Sequence, residues 1–353
     1  MSDISYPGVY IEELPSTVLS VSTTATAVPV FAFIDDNPTS PTPVTRINSW
    51  LDFLNFRGEN GIDYTNKLDV SIRTYFDNGG GYCYLVPTVS LTQEVPKLDD
   101  VTLLIAAGEN IDSEVESLCE DGKTLFAILD GPNMEPESVT PVAGEGNKYA
   151  AIYYPWLTAP WAGSTDIPPS AVVAGAYCLN DHSRGVWKAP ANMALRGNVS
   201  PKFKVTDEFQ GEYTSINNAM NMIRQFNNDS PLIWGARTCA AESDEWRYVP
   251  VRRLFNSVEK DIKGTMQSMM FEPNNQPTWE RVRAAINNYL YGLWRQGGLA
   301  GIKPEEAYRV WIGLNETMTQ DDITNGKMIV KVGMAAVRPA EFIILQFTQD
   351  VVQ

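Results

Sequence analysis

Asp181, His182 and Ser183 are the residues of this sequence whose types and spacing come nearest to a catalytic set. In a hydrolase, His182 would act as general base for the Ser183 hydroxyl, and Asp181 would orient the imidazole. Side chains adjacent in the sequence rarely meet in that geometry, and no GxSxG motif accompanies them. The sequence therefore favours a histidine in a turn or at a helix end, and an α/β hydrolase is the less favoured alternative.

Motifs for metals and cofactors are also missing from the sequence. The four cysteines are 36, 59 and 61 residues apart, form no CxxC pair and are accompanied by a single histidine, which argues against zinc. No GxxxxGK[ST] loop exists, and Gly144 and Gly146 lack the third glycine of a dinucleotide-binding motif. We therefore assign no catalytic, cofactor-binding or metal-binding residue, and at this level only a pair of carboxylates among the many Asp and Glu residues stays open as a catalytic group.

The composition is that of a folded, acidic protein. With 353 residues, 44% of them hydrophobic, the chain is long enough for two domains of ordinary size. Its 27 basic and 43 acidic residues give a net charge of −16, which disfavours binding to nucleic acid or to anionic lipid. Residues 88–147 carry 2 basic and 13 acidic groups, so we predict that this segment forms a solvated outer face.

The sequence shows no targeting or membrane-spanning segment. Its opening residues, MSDISYPG, have neither the basic region nor the apolar core of a secretory signal. No apolar run approaches the roughly 18 residues that a membrane span requires. We therefore expect a chain made in the cytoplasm without a signal peptide, with reduced cysteines and no direct insertion into a membrane.

Strands and helices alternate in the first part of the chain. This alternation is typical of an α/β sheet that helices cover on both faces, so we predict a mixed α/β fold. The predicted buried strands lie at residues 28–34, 82–87, 124–130 and 150–155, and the predicted helices at 50–56 and 68–76.

Longer helices are predicted from about residue 201. Apolar residues at helical spacing mark stripes over 213–226, 251–266 and 279–294, which we expect to face the core. Pro250 is well placed as the first residue of the second helix, and Thr278 is the expected N-cap of the third, which Gly297 and Gly298 would end. A further strand is predicted over residues 328–334.

Both ends of the sequence are extended and apolar, which is unusual for termini. The N-terminal arm (residues 1–20) and the C-terminal arm (residues 336–353) could each complete a sheet in a neighbouring copy, because unpaired strands are templates for pairing. Pairing within the same subunit remains the alternative. The side chains expected to make these contacts are Tyr6, Val9, Tyr10, Ile11, Leu14, Phe342, Ile343, Ile344, Leu345 and Phe347.

Sequence blocks spread over nearly the whole chain resemble, in the same order, those of a known protein family. They are YPGVYIEE (6–13), VST (21–23), YYPWL (153–157), PPSAVVAGAY (168–177), RGVWKAPAN (184–192), WGART (234–238), WRYVPVRRL (246–254), FEPN (271–274) and RPAEFI (338–343). In these blocks the chain resembles the contractile tail sheath proteins of phages, R-type bacteriocins and extracellular contractile injection systems of the antifeeding-prophage and virulence-cassette type. Residues 88–147 contain no block of this kind.

The resemblance implies a structural protein and not an enzyme. Sheath subunits form hexameric rings stacked helically around an inner tube, and their arms pair with a strand pair in neighbouring subunits. Contraction would relax an extended, metastable state and drive the tube through a target envelope without a nucleotide or other cofactor. The implied partners are further copies of the chain, the inner tube protein, and baseplate and cap proteins. The chain would be made in a bacterial cytoplasm and assembled into a phage-tail-like particle that can be released.

The resemblance also implies a division of the chain into an N-terminal arm (1–20), an outer sheath domain (21–200), an inner conserved sheath domain (201–335) and a C-terminal arm (336–353). Arg281, Arg283 and Arg295 on the predicted helix could meet acidic residues of the tube, and a solvated face is the alternative. Arg252 and Arg253 could brace the sheet that receives the arms, or could form a surface salt bridge.

Two other functions stay open at this level. A minor sheath paralogue placed near the baseplate or cap would carry the same sequence blocks. A monomeric α/β binding module would fold its arms back on itself, and arm deletion would leave such a monomer stable.

Overall fold

A nine-stranded mixed sheet is the centre of the larger part of the protein. The computed structural model describes residues 19–35, 42–140, 146–214, 217–227, 229–241 and 245–341. Its strands are β1 (Pro29–Phe33), β2 (Thr45–Ile47), β3 (Cys83–Pro87), β4 (Leu103–Ile105), β5 (Phe126–Asp130), β6 (Ala150–Tyr154), β7 (Leu157–Thr158), β8 (Met193–Ala194), β9 (Ser200–Pro201), β10 (Met220–Arg224), β11 (Leu232–Trp234), β12 (Tyr308–Trp311) and β13 (Lys331–Met334).

The order of the large sheet is β2-β3-β1-β4-β5-β6-β10-β11-β8. The six strands from β3 to β10 in this order are parallel, and β2, β11 and β8 pair antiparallel at the two edges. Strands β1, β3 and β6 are buried along their whole length, as expected for parallel strands covered on both faces. The predicted α/β class and the four predicted strands are confirmed.

Helices cover both faces of this sheet. One face carries α1, α2 and α5, and the other carries α3, α4 and α6, so that Phe31 points into one core while Val30 and Ala32 point into the other. The helices are α1 (Trp50–Arg57), α2 (Lys67–Asp77), α3 (Leu91–Glu94), α4 (Asp112–Leu118), α5 (Pro169–Arg184), α6 (Asp207–Thr214), α7 (Val249–Gln267), α8 (Gln276–Arg295), α9 (Pro304–Ala307) and α10 (Gln320–Thr324).

A third hydrophobic cluster joins the long helices α7 and α8 to a small two-stranded sheet of β12 and β13. Helix α7 begins at Val249, one residue before the predicted start at Pro250, so the proline lies in the first turn. The predicted N-cap of α8 is wrong: Asn275, not Thr278, caps the helix, and its side chain accepts a hydrogen bond from the Thr278 amide. Asparagine at this position satisfies an amide that would otherwise lack a partner in the first turn.

The helix predicted over residues 213–226 is wrong. Helix α6 ends at Thr214, and strand β10 begins at Met220. Met220 and Met222 pack into one core while Ile223 packs into the other, because β10 lies inside the sheet and both of its faces are covered. Apolar residues on both faces of a buried strand can match helical spacing by coincidence.

The prediction that residues 88–147 form a solvated face is only partly right. Their acidic side chains include exposed ones on α4 and its flanking loops, but the same segment supplies β4 and β5, two inner strands of the sheet. A charge count over the whole segment does not distinguish its buried strands from its exposed loops. The apolar side chains of Leu103, Leu104 and Ile128 in these strands are fully buried.

Strands from both sides of residue 200 belong to the large sheet, since β6 pairs with β10. The division of the chain at residues 200 and 201 therefore stays a prediction about domains and does not follow a break in the sheet. Both arms, except for residues 19–20 and 336–341, lie outside the described residues, and so do all ten predicted arm contacts from Tyr6 to Phe347. None of the described helices is long and apolar enough to cross a membrane.

Candidate assembly site

The side chains of Asp181, His182 and Ser183 do not form a catalytic set. Both carboxylate oxygens of Asp181 accept hydrogen bonds from Arg253, at 3.0 and 2.6 Å. The Ser183 hydroxyl donates to the Leu179 carbonyl at 2.6 Å, and His182 is exposed in the last turn of α5. The predicted position of His182 at a helix end is confirmed, and Asp181 has a structural partner in place of the imidazole.

Metal-ligating side chains do not cluster in the part of the chain that the structure describes, where no group of three or more could hold an ion. The four cysteines are buried and unpaired. Burial raises the pKa of Cys119 and of Cys239 to about 12, so both are neutral thiols at ordinary pH. These thiols are poor nucleophiles and poor metal ligands.

The two-stranded sheet of β12 and β13 is the clearest candidate for contact with another chain. The strands pair antiparallel, from Tyr308 opposite Met334 to Trp311 opposite Lys331. Val310 is buried against the α8 cluster, whereas Lys331 is exposed. Among the described residues no third strand joins this sheet, so within that part of the chain each strand has one edge without a strand partner, and such an edge is a template for pairing.

The N-terminal root, which we define as residues 19–26, connects the N-terminal arm to the folded protein. Leu19 and Val21 pack against the α8 and β12 cluster. Thr24 donates both its amide and its hydroxyl to one carboxylate oxygen of Asp261 on α7, at 2.9 and 2.6 Å. The hydroxyl of Tyr289 on α8 donates to the other oxygen at 2.6 Å, and burial together with that bond raises the pKa of Tyr289.

A buried ion pair holds the same root two residues further on. Arg253 and Asp181 are 2.6 Å apart, with side chains 3% and 4% exposed, so water screens this pair very little. Thr26 joins both partners, because its hydroxyl donates to Asp181 at 2.6 Å and its carbonyl accepts from Arg253 at 3.1 Å. The N-terminal root is therefore fixed to α5 and α7 together.

The C-terminal root, residues 335–341, leads from β13 to Arg237 and Tyr248, next to the start of α7. Ala335 forms backbone hydrogen bonds with Ala300 and Ala307, at 2.7 and 2.8 Å. At the other end, the Glu341 carboxylate accepts hydrogen bonds from Arg237 at 2.8 to 3.1 Å and from the Tyr248 hydroxyl at 3.3 Å. Arg237 is 5% exposed, and a charge-assisted pair of this kind is strong and directional.

Arg252 and Arg253 are buried, at 2% and 3% exposure. The alternative of a surface salt bridge is wrong for Arg253, whose partner Asp181 is also buried, whereas Arg252 pairs at 2.9 Å with Glu259, whose side chain is 44% exposed. Arg252 lies over the rings of Tyr149 and Trp246, at 4.8 and 4.1 Å from their centroids. Apolar and aromatic surroundings bury the stems of both side chains, which charge counting along the sequence does not register. Arg253 braces the N-terminal root, and no hydrogen bond from it to β12 or β13 is found among the described residues.

The three arginines predicted to face a tube do not lie on one side of α8. At about 100° per residue, Arg281 and Arg295 lie within about 40° of each other, and Arg283 lies roughly opposite them. Arg281 pairs with Glu272 at 2.9 Å, and Arg295 is exposed.

Arg283 is engaged within its own subunit. It pairs with Glu280 at 2.9 Å and with Glu316 at 3.0 Å, and it donates to the Ile312 carbonyl. The tube-facing role of all three arginines stays a prediction. The geometry favours a contact through Arg281 and Arg295, which share one side of α8.

The sequence did not identify Arg237, Asp261 or Glu341 as functional candidates. Arg237 and Glu341 each lie in a sheath-like block, WGART and RPAEFI, as a charged residue among apolar ones. Such a residue in a mostly apolar block indicates a buried partner. Asp261 has no signal of this kind, because an aspartate in an amphipathic helix is ordinary.

Two family descriptions match this chain. Residues 97–239 match the phage tail sheath protein central domain, and residues 241–350 match the phage tail sheath C-terminal domain. The first match begins inside residues 88–147, the segment in which no sheath-like block was identified. Together the matches cover well over half of the chain.

Solved sheath structures superimpose on nearly the whole chain. The sheath complex of an extracellular contractile injection system, PVC, in its contracted state is 62% identical, with 99% of both chains covered and a TM-score of 0.88. The helical sheath of the anti-feeding prophage (AFP) in its contracted state is 44% identical, with 98% of this chain and 99% of that chain covered and a TM-score of 0.80. A sheath tail protein from Desulfitobacterium hafniense, 9% identical with a TM-score of 0.62, shares the fold.

Two curated relatives match over a shorter region. The tail sheath protein of Enterobacteria phage T4 is 26% identical over 135 residues, and that of Vibrio phage KVP40 is 22% identical over 135 residues. These alignments cover 38% of this chain and 20% of each phage protein, so the chain spans only a fifth of their length.

Proposed function

Because this chain belongs to the phage tail sheath family, as the sequence resemblance predicted, we propose that it is the main sheath subunit of a contractile injection particle. In this role it polymerises as helically stacked hexameric rings around an inner tube and contracts to drive that tube through a target envelope. The observation that carries the proposal is 62% identity over 99% of both chains to a contracted injection-system sheath. Neither a minor paralogue nor a monomeric binding module gains support from these matches.

The arms and the two-stranded sheet of β12 and β13 connect the subunits in this proposal. Each arm adds a strand to an open edge of β12 or β13 in a neighbouring copy. Backbone hydrogen bonds along such a strand form a connection that can persist while the rigid parts of two subunits change their relative angle. The apolar arm sequences and the two open edges support this assignment.

The role is structural and not catalytic in this proposal, and contraction draws on conformational free energy stored in the extended sheath. The engagement of Asp181 by Arg253 and Thr26, in place of His182, supports the first part. The contracted state of two relatives supports the second, because it is one of the two states that the mechanism needs. Purified extended particles should therefore contract without ATP, and an ATP requirement would contradict the proposal.

The partners in this role are further copies of the chain, the inner tube protein, and baseplate and cap proteins. The chain is made in the bacterial cytoplasm, is assembled into a particle that can be released, and does not insert into a membrane or bind nucleic acid. The net charge of −16 supports the last point.

The experiment that tests this function is negative-stain electron microscopy of the purified chain, with and without the inner tube protein. A chain that lacks residues 1–20 provides the comparison. We expect tubes or stacked rings from the full chain and their loss on truncation. Single particles from both chains, even with the inner tube protein added, would contradict the sheath function.

We also propose that Arg281 and Arg295 contribute to the contact with the tube, since they share one side of α8 and retain substantial exposure. Reversing both charges to glutamate should weaken the attachment of sheath to tube in a pull-down assay. Lys97→Glu with Lys123→Glu is the matched control, because both lysines are exposed in the acidic segment. Unchanged attachment of the α8 variant would contradict this contact.

A further inference from the structure

The roots of both arms are attached to helix α7. Tyr248, which immediately precedes the helix, donates to Glu341 of the C-terminal root. Arg253 and Asp261, on the first and second halves of the helix, bond to Thr26 and Thr24 of the N-terminal root. With its N-cap residue Tyr248 included, α7 is the one helix among the described residues with side-chain hydrogen bonds to both roots.

The N-terminal attachment depends on a carboxylate that has little access to water. Asp261 is 2% exposed, and its two oxygens are divided between Thr24 and Tyr289. A buried carboxylate that accepts several short hydrogen bonds holds its donors at fixed positions, because a lost bond would leave a charge without compensation. Movement of Thr24 is therefore transmitted to α7 and, through Tyr289, to α8.

The C-terminal attachment is similarly rigid. The backbone of Arg237 pairs with that of Tyr248, and the Thr238 amide bonds to the Arg247 carbonyl at 2.8 Å, so this short ladder leads directly into α7. Asn221 on β10 holds the Arg237 backbone from the other side, at 2.7 and 2.8 Å. Glu341 therefore binds to a part of the protein that is continuous with the start of the helix.

We propose that α7 is the rigid connection through which each subunit passes load from one arm to the other, with Asp261 and Glu341 as the positioning residues at its two attachments. Tyr248, which binds Glu341, and Asp261, which binds Thr24, are 13 residues apart along the chain, or about 20 Å at the rise of an α-helix. A helix keeps this separation fixed, so a pull on one arm moves the other arm of the same subunit. This inference rests on the proposed function, because it gives the arms a mechanical role.

The test uses sheaths assembled from variants in which a glycine softens α7 at an exposed position. Glu259→Gly lies between Tyr248 and Asp261 and on the C-terminal side of Arg253, so it softens the path to the Asp261 attachment and leaves the Arg253 attachment in place. Lys263→Gly lies beyond Asp261 and is the matched control. Glu259→Gln controls for the ion pair of Glu259 with Arg252 at 2.9 Å. The readout is the urea concentration at which half of the extended particles contract or dissociate, beside thermal unfolding of each unassembled chain.

A second pair of variants tests the N-terminal attachment itself. Thr24→Val and Tyr289→Phe each remove one hydroxyl donor to Asp261, and only the first loosens the arm root. Similar losses of thermal stability are expected in the two unassembled chains. Only the sheaths with Thr24→Val should become more sensitive to urea.

The expected result is a shift of the urea midpoint to lower concentration for Glu259→Gly and Thr24→Val, with Lys263→Gly, Glu259→Gln and Tyr289→Phe close to the unaltered sheath. Equal shifts within each matched pair would overturn the inference, because general helix stability would then explain them. The absence of any shift would overturn it as well. If the unaltered chain formed no sheath at all, the proposed function would fail, and the inference would fail with it.

Discussion

Both side chains of the ion pair between Arg253 and Asp181 are buried. Their burial determines how far loss of one partner lowers the free energy of unfolding. Arg253→Met would leave the Asp181 carboxylate without its cation in a site 4% exposed. We predict a loss of about 3–5 kcal/mol in the free energy of unfolding, measured by urea denaturation of the unassembled chain. The double variant with Asp181→Leu should recover most of this loss, because no unpaired charge remains.

The exposed pair of Arg281 with Glu272 is the control for this prediction. Its side chains are 44% and 43% exposed, so Arg281→Met should change the free energy of unfolding by less than about 1 kcal/mol. Equal effects of the two single substitutions would contradict the assignment of Arg253 as an essential buried residue.

Asp130 makes the stability of the protein depend on pH. Its carboxylate lies at the end of β5 and accepts hydrogen bonds from Gly108 at 2.7 Å and from the amide and hydroxyl of Ser170 at 2.7 and 2.9 Å. Burial nevertheless raises its pKa to about 6, because desolvation of the charged form outweighs these bonds. The folded protein therefore holds a proton on this group at pH values where the unfolded chain has released it.

A raised pKa in the folded state gives a stabilising contribution that is complete below the unfolded pKa and is lost as the pH rises through the folded value. The free energy of unfolding should therefore fall between about pH 4 and pH 6 by up to roughly 3 kcal/mol, less to the extent that the partly exposed edge of Asp130 reaches water. The pH profile of Asp130→Asn, which cannot titrate, isolates this contribution. Parallel profiles for the two proteins would contradict the prediction.

At the scale of elements, the contact of α2 with α5 depends on a glycine. A Cβ atom at Gly175 of α5 would clash with the carbonyl oxygen of Tyr75 on α2 and would approach the Asn78 side chain to 3.0 Å. We predict that Gly175→Ala lowers the free energy of unfolding by about 1–3 kcal/mol, because backbone cannot yield as a flexible side chain can.

Gly264 of α7 provides the opposite case. No atom lies within 4 Å of the Cβ position at this exposed helical residue. Gly264→Ala should therefore raise the free energy of unfolding by about 0.5–1 kcal/mol through helix propensity alone. Thermal unfolding of both variants measures the contrast, and a loss for Gly264→Ala would show that the helix needs flexibility there.

The elements that were predicted correctly have sequence patterns that fit only one type of secondary structure. The apolar run at β1 is too short for a helix and is bounded by loops, and the α7 stripe has a proline in its first turn. Strand β10 was missed because Met220, Ile223 and Phe226 fit a helical spacing as well as a strand buried on both faces. Only the tertiary neighbours of β10 distinguish the two.

At the scale of the whole molecule, the roots explain why arm deletion should separate assembly from folding. Residues 342–353 lie beyond Glu341, the last attachment of the C-terminal root. Removal of these residues should abolish sheath formation in electron micrographs while the thermal unfolding of the unassembled chain changes little. A large drop in unfolding temperature would instead indicate that this arm packs on its own subunit.

The sequence predicted the sheath family and the apolar arms, but not the attachments of the roots. Composition alone identifies an apolar terminus as unusual, because that judgement needs no knowledge of the fold. The pairs of Arg237 with Glu341 and of Thr24 with Asp261 join residues 104 and 237 positions apart, and the local sequence of one residue does not identify its partner. Such pairs are defined only when the topology brings the elements together.

The measurement that tests the central claim most directly is a cryo-EM reconstruction of the assembled sheath that resolves the strands beside β12 and β13. We predict that residues 1–18 and 342–353 of neighbouring subunits, which lie beyond the two roots, add strands along the edges of β12 and β13 that no described strand pairs. Edges occupied by the arms of the same subunit, or left exposed to solvent, would contradict it.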